Sequence, residues 1–213
     1  MRQFIITAIL FLAPIISFGD TDKEARQILE KSSKSIKGAG DIEVTFSASS
    51  FSGTEEQASM DGTIYLQKEQ IHLVSENAIY WYDGKTMWTY IKDNHEVNVS
   101  TPTITEQQTM NPYLFLNLYK KGYVCECKGT TNIRGKECYS MRLAATSSAQ
   151  KIQEMLLEID KTTYHPLSIR MRTGKNKWTR IRIMDYKTKQ KFKSEIFKFN
   201  PQEYPDAEVI DLR

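Results

Sequence analysis

The fold is decided by the stretch Tyr80-Trp81-Tyr82-Asp83-Gly84-Lys85-Thr86-Met87-Trp88-Thr89-Tyr90, in which an Asp-Gly pair separates two runs rich in aromatic residues. An Asp-Gly pair between strand-favouring runs is typical of a β-hairpin, because a type I′ turn needs positive φ at both central residues. The stretch therefore predicts two antiparallel strands joined by a tight turn at Asp83-Gly84.

Alternating apolar and polar residues extend this strand pattern in both directions along the chain. Upstream, Val44 and Phe46 alternate with polar residues, and so do Ile64 and Leu66. Further strand candidates are residues 97–99, 122–128, 137–143, 152–160, 167–173, 177–186 and 194–199. Roughly ten or eleven strands with short connections favour a mainly β domain with an antiparallel sheet.

Two segments depart from the strand pattern. Residues 20–37 place apolar side chains three and four positions apart, which predicts an amphipathic helix. Residues 101–119 contain two prolines, and Pro112 suits the first turn of a short second helix. The leucines of this second helix make it apolar enough to be buried or to cover an apolar surface.

The first nineteen residues have the pattern of a secretory signal peptide. A basic residue precedes an apolar run that ends at Ile16, and Ser17 and Gly19 are small residues at the −3 and −1 positions of a cleavage site. The run is shorter than the roughly 20 residues that span a bilayer, which disfavours a membrane anchor. We therefore expect residues 1–19 to be removed, leaving one domain, residues 20–213, outside the cytoplasm.

Charge and motifs argue against several classes of function. The formal net charge is +3, with 29 basic and 26 acidic residues, which is too even to indicate a nucleic-acid partner. The pattern places His72, His95 and His165 at the surface or at strand edges, and no nucleophile or phosphate-loop motif accompanies them. We therefore predict no enzymatic activity, no catalytic residue, no metal site and no cofactor.

The three cysteines allow either structural thiols or one disulfide, which an exported protein can form. In the predicted hairpin, Cys125 and Cys127 share a face with Tyr123. Cys138 lies on the face opposite to Tyr139, because successive side chains alternate. A disulfide to Cys138 would need a bulge, so three structural thiols are favoured.

Large side chains occupy both faces of several strands, which permits two interpretations. Three tryptophans and eleven tyrosines are a heavy aromatic content for one β domain. By composition alone, a thick sandwich core is the simpler explanation. The alternative is a curved sheet whose concave face is left partly unfilled and forms an apolar site.

In their order along the chain, these segments resemble the LolA-type periplasmic outer-membrane lipoprotein carriers. The hairpin Tyr82–Tyr90 is the most specific match. The other matching segments are Val44–Phe46, Gly62–Leu66, Asn111-Pro112 with the leucines that follow it, and Phe197–Pro201. One segment departs from the family: Gln67–Gln70 stands where carriers have an Arg-Pro whose arginine latches the helical lid. We therefore expect the latch and the cargo to differ.

The resemblance implies the α+β class: an incomplete, strongly curved antiparallel β-barrel of about 11 strands, closed by helices over an apolar cavity. It further implies a monomeric periplasmic chaperone without a nucleic-acid partner. Such a carrier receives acylated lipoproteins from an inner-membrane lipoprotein-releasing transporter and delivers them to an outer-membrane acceptor. The alternative is an envelope interaction or stress-sensor module of the same fold that binds a protein partner.

Strand alternation and the resemblance together predict the residues that line the cavity. On the strands these are Ile64, Leu66, Trp81, Trp88, Met155, Leu157, Ile181 and Ile183. On the covering helix they are Leu114, Leu116 and Leu118.

Overall fold

The structure is a computed structural model and describes residues 18–103 and 118–213. These residues are mostly β, with one α-helix and twelve strands. The helix is α1 (Phe18–Lys37), and the strands are β1 (Asp41–Ser52), β2 (Glu55–Gln67), β3 (Gln70–Ser75), β4 (Ala78–Tyr82), β5 (Met87–Ile91), β6 (Glu96–Ser100), β7 (Tyr123–Ile133), β8 (Lys136–Ala145), β9 (Glu154–Asp160), β10 (Pro166–Gly174), β11 (Lys177–Gln190) and β12 (Glu208–Asp211). Short 3₁₀ helices span Leu118–Lys120, Ser194–Phe197 and Pro201–Glu203.

All twelve strands belong to one curved sheet that does not close into a barrel. The strand order is β12-β6-β5-β4-β3-β2-β1-β11-β10-β9-β8-β7, and every neighbouring pair is antiparallel except β12 with β6. The prediction of a mainly β domain with an antiparallel sheet is confirmed. Within residues 18–103 and 118–213, α1 is the one α-helix, so the structure does not show several helices closing a cavity.

The hairpin between β4 and β5 is confirmed, but its turn differs from the predicted one. β4 ends at Tyr82 and β5 begins at Met87, so four residues connect the strands. Gly84 has φ +101°, whereas Asp83 is not among the residues with positive φ, which excludes a type I′ turn. The Asp83 carboxylate instead accepts hydrogen bonds from two backbone N–H groups, one of them that of Thr86 at 2.8 Å. Side-chain bonding to the backbone therefore stabilises a wider loop.

One face of the sheet, which we call the helix face, is covered by α1. The first half of α1 packs on β7 to β10, and the end of α1 packs near β1 and β2. The first of two buried clusters comprises Ala25, Ile28, Leu29, Tyr119, Tyr123, Cys125, Met141, Leu143, Met155, Leu157, Ile159, Ile169 and Met171. The second comprises Ile36, Ala39, Ile42, Val44, Phe46, Ile64, Leu66, Ile71, Tyr82 and Ile183. The apolar stripe predicted for the helix is thus the surface that docks on the sheet.

The opposite face of β2 to β6 is covered by the chain that follows β11. We call residues 192–204 the tail segment. Its Phe192 ring meets Tyr65 edge-on, and its Phe199 and Tyr204 rings each lie 5.5 Å from Trp81, centroid to centroid. Phe197, which also belongs to the tail segment, is fully buried. This half of the sheet therefore has a packed core on both faces, as the sandwich interpretation expected.

Arg26 fixes the start of α1 to the start of β7. Its guanidinium group pairs with the Asp22 carboxylate at 2.6 Å and donates hydrogen bonds to the carbonyls of Tyr119 and Tyr123. Asp22 also accepts a 2.9 Å hydrogen bond from the backbone N–H of Cys125. The Arg26 contact holds the pKa of the Asp22 carboxyl below its usual value, so the pair stays ionised at neutral pH.

All three cysteines are free thiols in the structure. Cys125 belongs to the helix-face core, and burial raises the pKa of its thiol to about 11. Cys138 is also buried, and burial raises the pKa of its thiol as well. Both groups are neutral thiols at physiological pH, which makes them poor nucleophiles.

Candidate functional site

The structure places six of the predicted lining residues on the helix face. Ile64, Leu66 and Ile183 lie in the cluster near the end of α1. Met155 and Leu157 lie in the cluster beneath its first half, and Ile181 packs against both clusters. Five of these side chains are buried, and Ile181 is half-buried. The six side chains share this face and form packed core, and Ile183 in addition lines one of the two cavities described below.

Trp81 and Trp88 lie on the face opposite to Ile64 and Leu66, which corrects their predicted placement. The two tryptophans are direct cross-strand partners, so they share a face. Trp81 stacks on His72 on that face, with ring centroids 5.6 Å apart. Alternation in the sequence could not show which face of β4 points toward α1. Both faces are buried, because the tail segment covers one of them and the helix-face core covers the other.

His72 is enclosed rather than exposed, which also departs from the sequence prediction. Its ring stacks between Tyr65 and Trp81, and its Nδ1 is buried without a hydrogen-bond partner among the described residues. Burial lowers the pKa of His72 from 6.5 to about 4, because the charged imidazolium would lose its hydration.

We expect this histidine to make the fold acid-sensitive. In the unfolded chain the His72 ring takes up a proton as the pH falls through 6.5, whereas in the folded chain it does so only near pH 4. The contribution of neutral His72 to the free energy of unfolding is therefore fully present above pH 6.5 and is lost as the pH falls from 6.5 to about 4. Urea unfolding at about pH 7 and about pH 4.5 should show wild type losing on the order of 1–2 kcal/mol more than His72→Phe. Equal losses in the two proteins would show that His72 is not held neutral by the fold.

Of the three predicted residues of the covering helix, the structure describes only the backbone of Leu118. Leu114 and Leu116 lie outside the described residues. Leu118 begins the 3₁₀ helix Leu118–Lys120, of which its neighbour Tyr119 is buried in the helix-face core.

Two neighbouring cavities lie where β10 separates from β11. Cavity A, of about 630 Å³, is lined by Phe46, Ile133, Leu167 and Met184 and by the more polar Thr45, Ser47, Asp61, Arg134, Ser168 and Arg182. Cavity B, of about 480 Å³, is lined by Arg134, Lys136, Thr163, His165, Leu167, Ile183, Met184, Asp185, Tyr186 and Thr188. The cavities share Arg134, Leu167 and Met184, so they adjoin each other.

Strand register explains why a gap opens there. Pairing between β10 and β11 begins at Ser168 and Arg182, which leaves Leu167 unpaired with β11. On the other side of β11, a bulge at Met184 disturbs the pairing with β1 beside Phe46. Two irregularities at the same level of β11 thus leave space between strands that are paired elsewhere.

Arg134, at the turn between β7 and β8, closes this gap. It adopts φ +50°, and its guanidinium group donates to the carbonyls of Ile183 and Met184, the latter at 3.5 Å. It also contacts the Met184 sulfur at 3.6 Å. β9 and β10 separate β8 from β11 in the sheet, so this contact requires strong curvature at this end of the sheet.

The polar residues of cavity A form one row across four strands. Ser168, Arg182, Ser47 and Asp61 are successive cross-strand partners on β10, β11, β1 and β2. Phe46, by contrast, belongs to the helix-face core. Cavity A therefore joins a charged surface row to the edge of the apolar core, which is an arrangement suited to an amphipathic ligand.

Sequence reasoning missed this site except for Ile183, which lines cavity B. The β7–β8 turn was recognisable from its Gly, Thr and Asn content, but nothing local indicates that its tip reaches β11. The signal that could have pointed to it is an arginine beside Gly135 at a hairpin tip, where a long cation is free to reach across the sheet.

Within residues 18–103 and 118–213, no three His, Cys, Asp or Glu side chains come together as a metal site. No helix of that part of the chain is long and apolar enough to cross a membrane.

The open curved sheet, with a helix on one face and cavities at one end, defines a half-barrel class of β protein. Residues 15–175 match the family described as outer membrane lipoprotein carrier protein LolA, and the chain belongs to that family. The comparison with curated proteins gives no match.

Solved structures show the same fold at low sequence identity. An uncharacterized conserved protein from Thermus thermophilus has 12% identity and a TM-score of 0.59, over 88% of this chain and 99% of that one. The lipoprotein LppX from Mycobacterium tuberculosis has 13% identity and a TM-score of 0.53, over 80% of this chain and 98% of that one. At such identities the likeness concerns the fold alone.

Proposed function

We propose that the protein is an exported carrier that binds the acyl chains of lipoproteins in cavity A and shuttles them from the inner to the outer membrane. The observation that carries the proposal is an open cavity of about 630 Å³ with an apolar floor, in a chain of the LolA family. The volume lies within the range of about 300–1,000 Å³ that is typical of small-molecule sites.

The apolar floor of cavity A suits a cargo that must be both held and released. Burying a CH₂ group contributes about 0.8 kcal/mol, so an acyl chain of about 16 carbons loses on the order of 12 kcal/mol in water. Phe46, Ile133, Leu167 and Met184 offer non-directional contacts that recover part of this free energy. Met184 is also exposed and conformationally adaptable, which favours a site that accepts chains of different shape.

The predicted lining residues enter the proposal as the layer behind this floor. Phe46 lines cavity A and Ile183 lines cavity B, and both belong to the cluster that contains Ile64 and Leu66. An acyl chain that penetrates past Phe46 would therefore meet those side chains. Met155, Leu157 and Ile181 support the sheet from the helix face.

Export and partners complete the proposal. Cleavage after Gly19 would release the chain to the periplasm, and α1, which begins at Phe18, would then start near the new N-terminus. An inner-membrane lipoprotein-releasing transporter would load the carrier, because membrane extraction needs energy and the sequence has no nucleotide-binding motif. An outer-membrane acceptor would receive the cargo.

Filling cavity A should weaken acyl binding strongly. Ser47 lines the cavity from the face away from the core, so Ser47→Trp places an indole in the space without crowding the helix-face core. We expect its affinity for a fluorescent 16-carbon lipid to fall by at least about tenfold, since the apolar contacts are replaced. Titration of the purified protein with that lipid measures the effect.

Ser59→Trp is the matched control, because Ser59 lies exposed on the same sheet face one row away and lines neither cavity. Its lipid affinity should stay that of wild type. Equal affinity in wild type and Ser47→Trp would remove cavity A from the proposal. A wild-type protein that binds no lipid but retains an envelope protein would favour the interaction module instead.

A further inference from the structure

Two guanidinium groups face cavity A without a carboxylate partner. Arg134 donates to neutral backbone carbonyls, and Arg182 stands in the polar row on β11. Among residues 18–103 and 118–213, neither side chain has a carboxylate oxygen within 4.0 Å. Other arginines of the same face are paired: Arg172 contacts Glu154 at 3.2 Å, and Arg180 contacts Glu56 at 3.6 Å.

The remaining charges of the two cavities offset these cations only in part. Asp61 is the one carboxylate lining cavity A, and it forms no ion pair within the described part of the chain. In cavity B, Lys136 and Asp185 each have another partner, Asp160 and Lys187 respectively. His165 contributes no cation at neutral pH, because burial lowers the pKa of its ring.

We propose that cavities A and B form one amphiphile site, in which Arg134 and Arg182 bind an anionic head group while the apolar floor takes the attached acyl chain. The inference rests on the proposed function, because it uses the same acyl cavity, and it adds a ligand class: an acyl chain joined to a phosphate or carboxylate. Guanidinium groups bind such anions through charge-assisted hydrogen bonds, often in pairs.

The position of Arg134 links binding of the head group to the length of the apolar space. The Arg134 side chain lines both cavities, and among the described residues its guanidinium group is held by neutral groups, namely the carbonyls of Ile183 and Met184 and the Met184 sulfur. An anion at the cavity mouth offers the guanidinium group a stronger, charged partner than a carbonyl. If the Arg134 guanidinium group left these carbonyls and bound the head group, cavities A and B would join. The apolar space for the acyl chain would then be longer.

The test compares two lipids that share one palmitoyl chain: lysophosphatidylglycerol, which carries a phosphate, and monopalmitoylglycerol, which has no charged group. Wild type should bind the anionic lipid at least about tenfold more tightly, and the preference should shrink as ionic strength rises. The double variant Arg134→Gln, Arg182→Gln should lose the preference for the anionic lipid. Arg182→Gln alone should lose part of it, and the Arg182 side chain makes no hydrogen bond or ion pair within the part of the chain that the structure describes.

Two further variants control for general surface charge. Arg170→Gln removes an exposed arginine of the same sheet face that has no ion pair among the described residues and lines neither cavity, so the preference should remain. Asp61→Asn removes the opposing carboxylate, so the anionic lipid should bind more tightly. Inorganic phosphate is titrated as a competitor, and it should compete only weakly because it lacks the chain.

The outcomes separate this inference from the proposed function. Equal wild-type affinity for both lipids would overturn the anionic head group and leave the acyl carrier standing. Binding of neither lipid would overturn the acyl carrier itself. Phosphate competing as strongly as the anionic lipid would show a free-anion site and overturn the joint recognition of chain and head.

Discussion

Replacing Phe197 with alanine is expected to lower the free energy of unfolding by about 3–5 kcal/mol. Phe197 has 0% of its surface exposed, and it lies in the tail segment with its ring 6.2 Å from that of Phe192. Truncation removes the buried ring and leaves a cavity between the tail segment and the sheet, which the short 3₁₀ helix Ser194–Phe197 cannot easily fill. Urea unfolding of the two proteins measures the difference.

Leu212→Ala is the control for this experiment. Leu212 is 64% exposed and follows β12, so its truncation should change stability by less than about 0.5 kcal/mol. A loss below about 1 kcal/mol in Phe197→Ala would mean that the tail segment is peripheral. The opposite face of β2 to β6 would then be open to ligands, and Trp81 would again be a candidate for binding.

The tail segment also explains which parts of the fold the sequence could predict. The β4–β5 hairpin and the amphipathic stripe of α1 are local, so spacing and turn chemistry reveal them. The covering of Trp81 by Phe199 and Tyr204 joins residues more than a hundred positions apart. Alternation shows that Trp81 and Tyr82 point to different faces, but it does not show which element covers each face.

The sequence could not predict the cavities for a related reason. Cavity A depends on the bulge at Met184, on the departure of β10 from β11 and on the reach of Arg134 from a distant hairpin. None of these features has a period or a motif, because each is a break in regular pairing. Ile64 and Leu66 were correctly grouped on one face by their alternation, whereas the functional surface beside them is made by irregular positions.

Leu157→Ala should lower the free energy of unfolding by about 2–5 kcal/mol without weakening lipid binding by the folded protein. Leu157 is fully buried, with Met141 and Ile169 as its cross-strand partners in the cluster that contains Leu29 of α1. Its methyl groups therefore contribute to core packing beneath α1, and it lines neither cavity A nor cavity B.

Unfolding in urea and titration with a 16-carbon lipid, both on Leu157→Ala, distinguish a core residue from a binding residue. Ser47→Trp should give the reverse result, with binding strongly weakened and stability largely kept, because it fills cavity A and leaves the helix-face core intact. If Leu157→Ala instead keeps its stability and changes its lipid affinity, the acyl chain reaches the space beneath α1. The helix would then have to move aside for the cargo, and the site would extend over the six predicted lining residues that the structure places on that face.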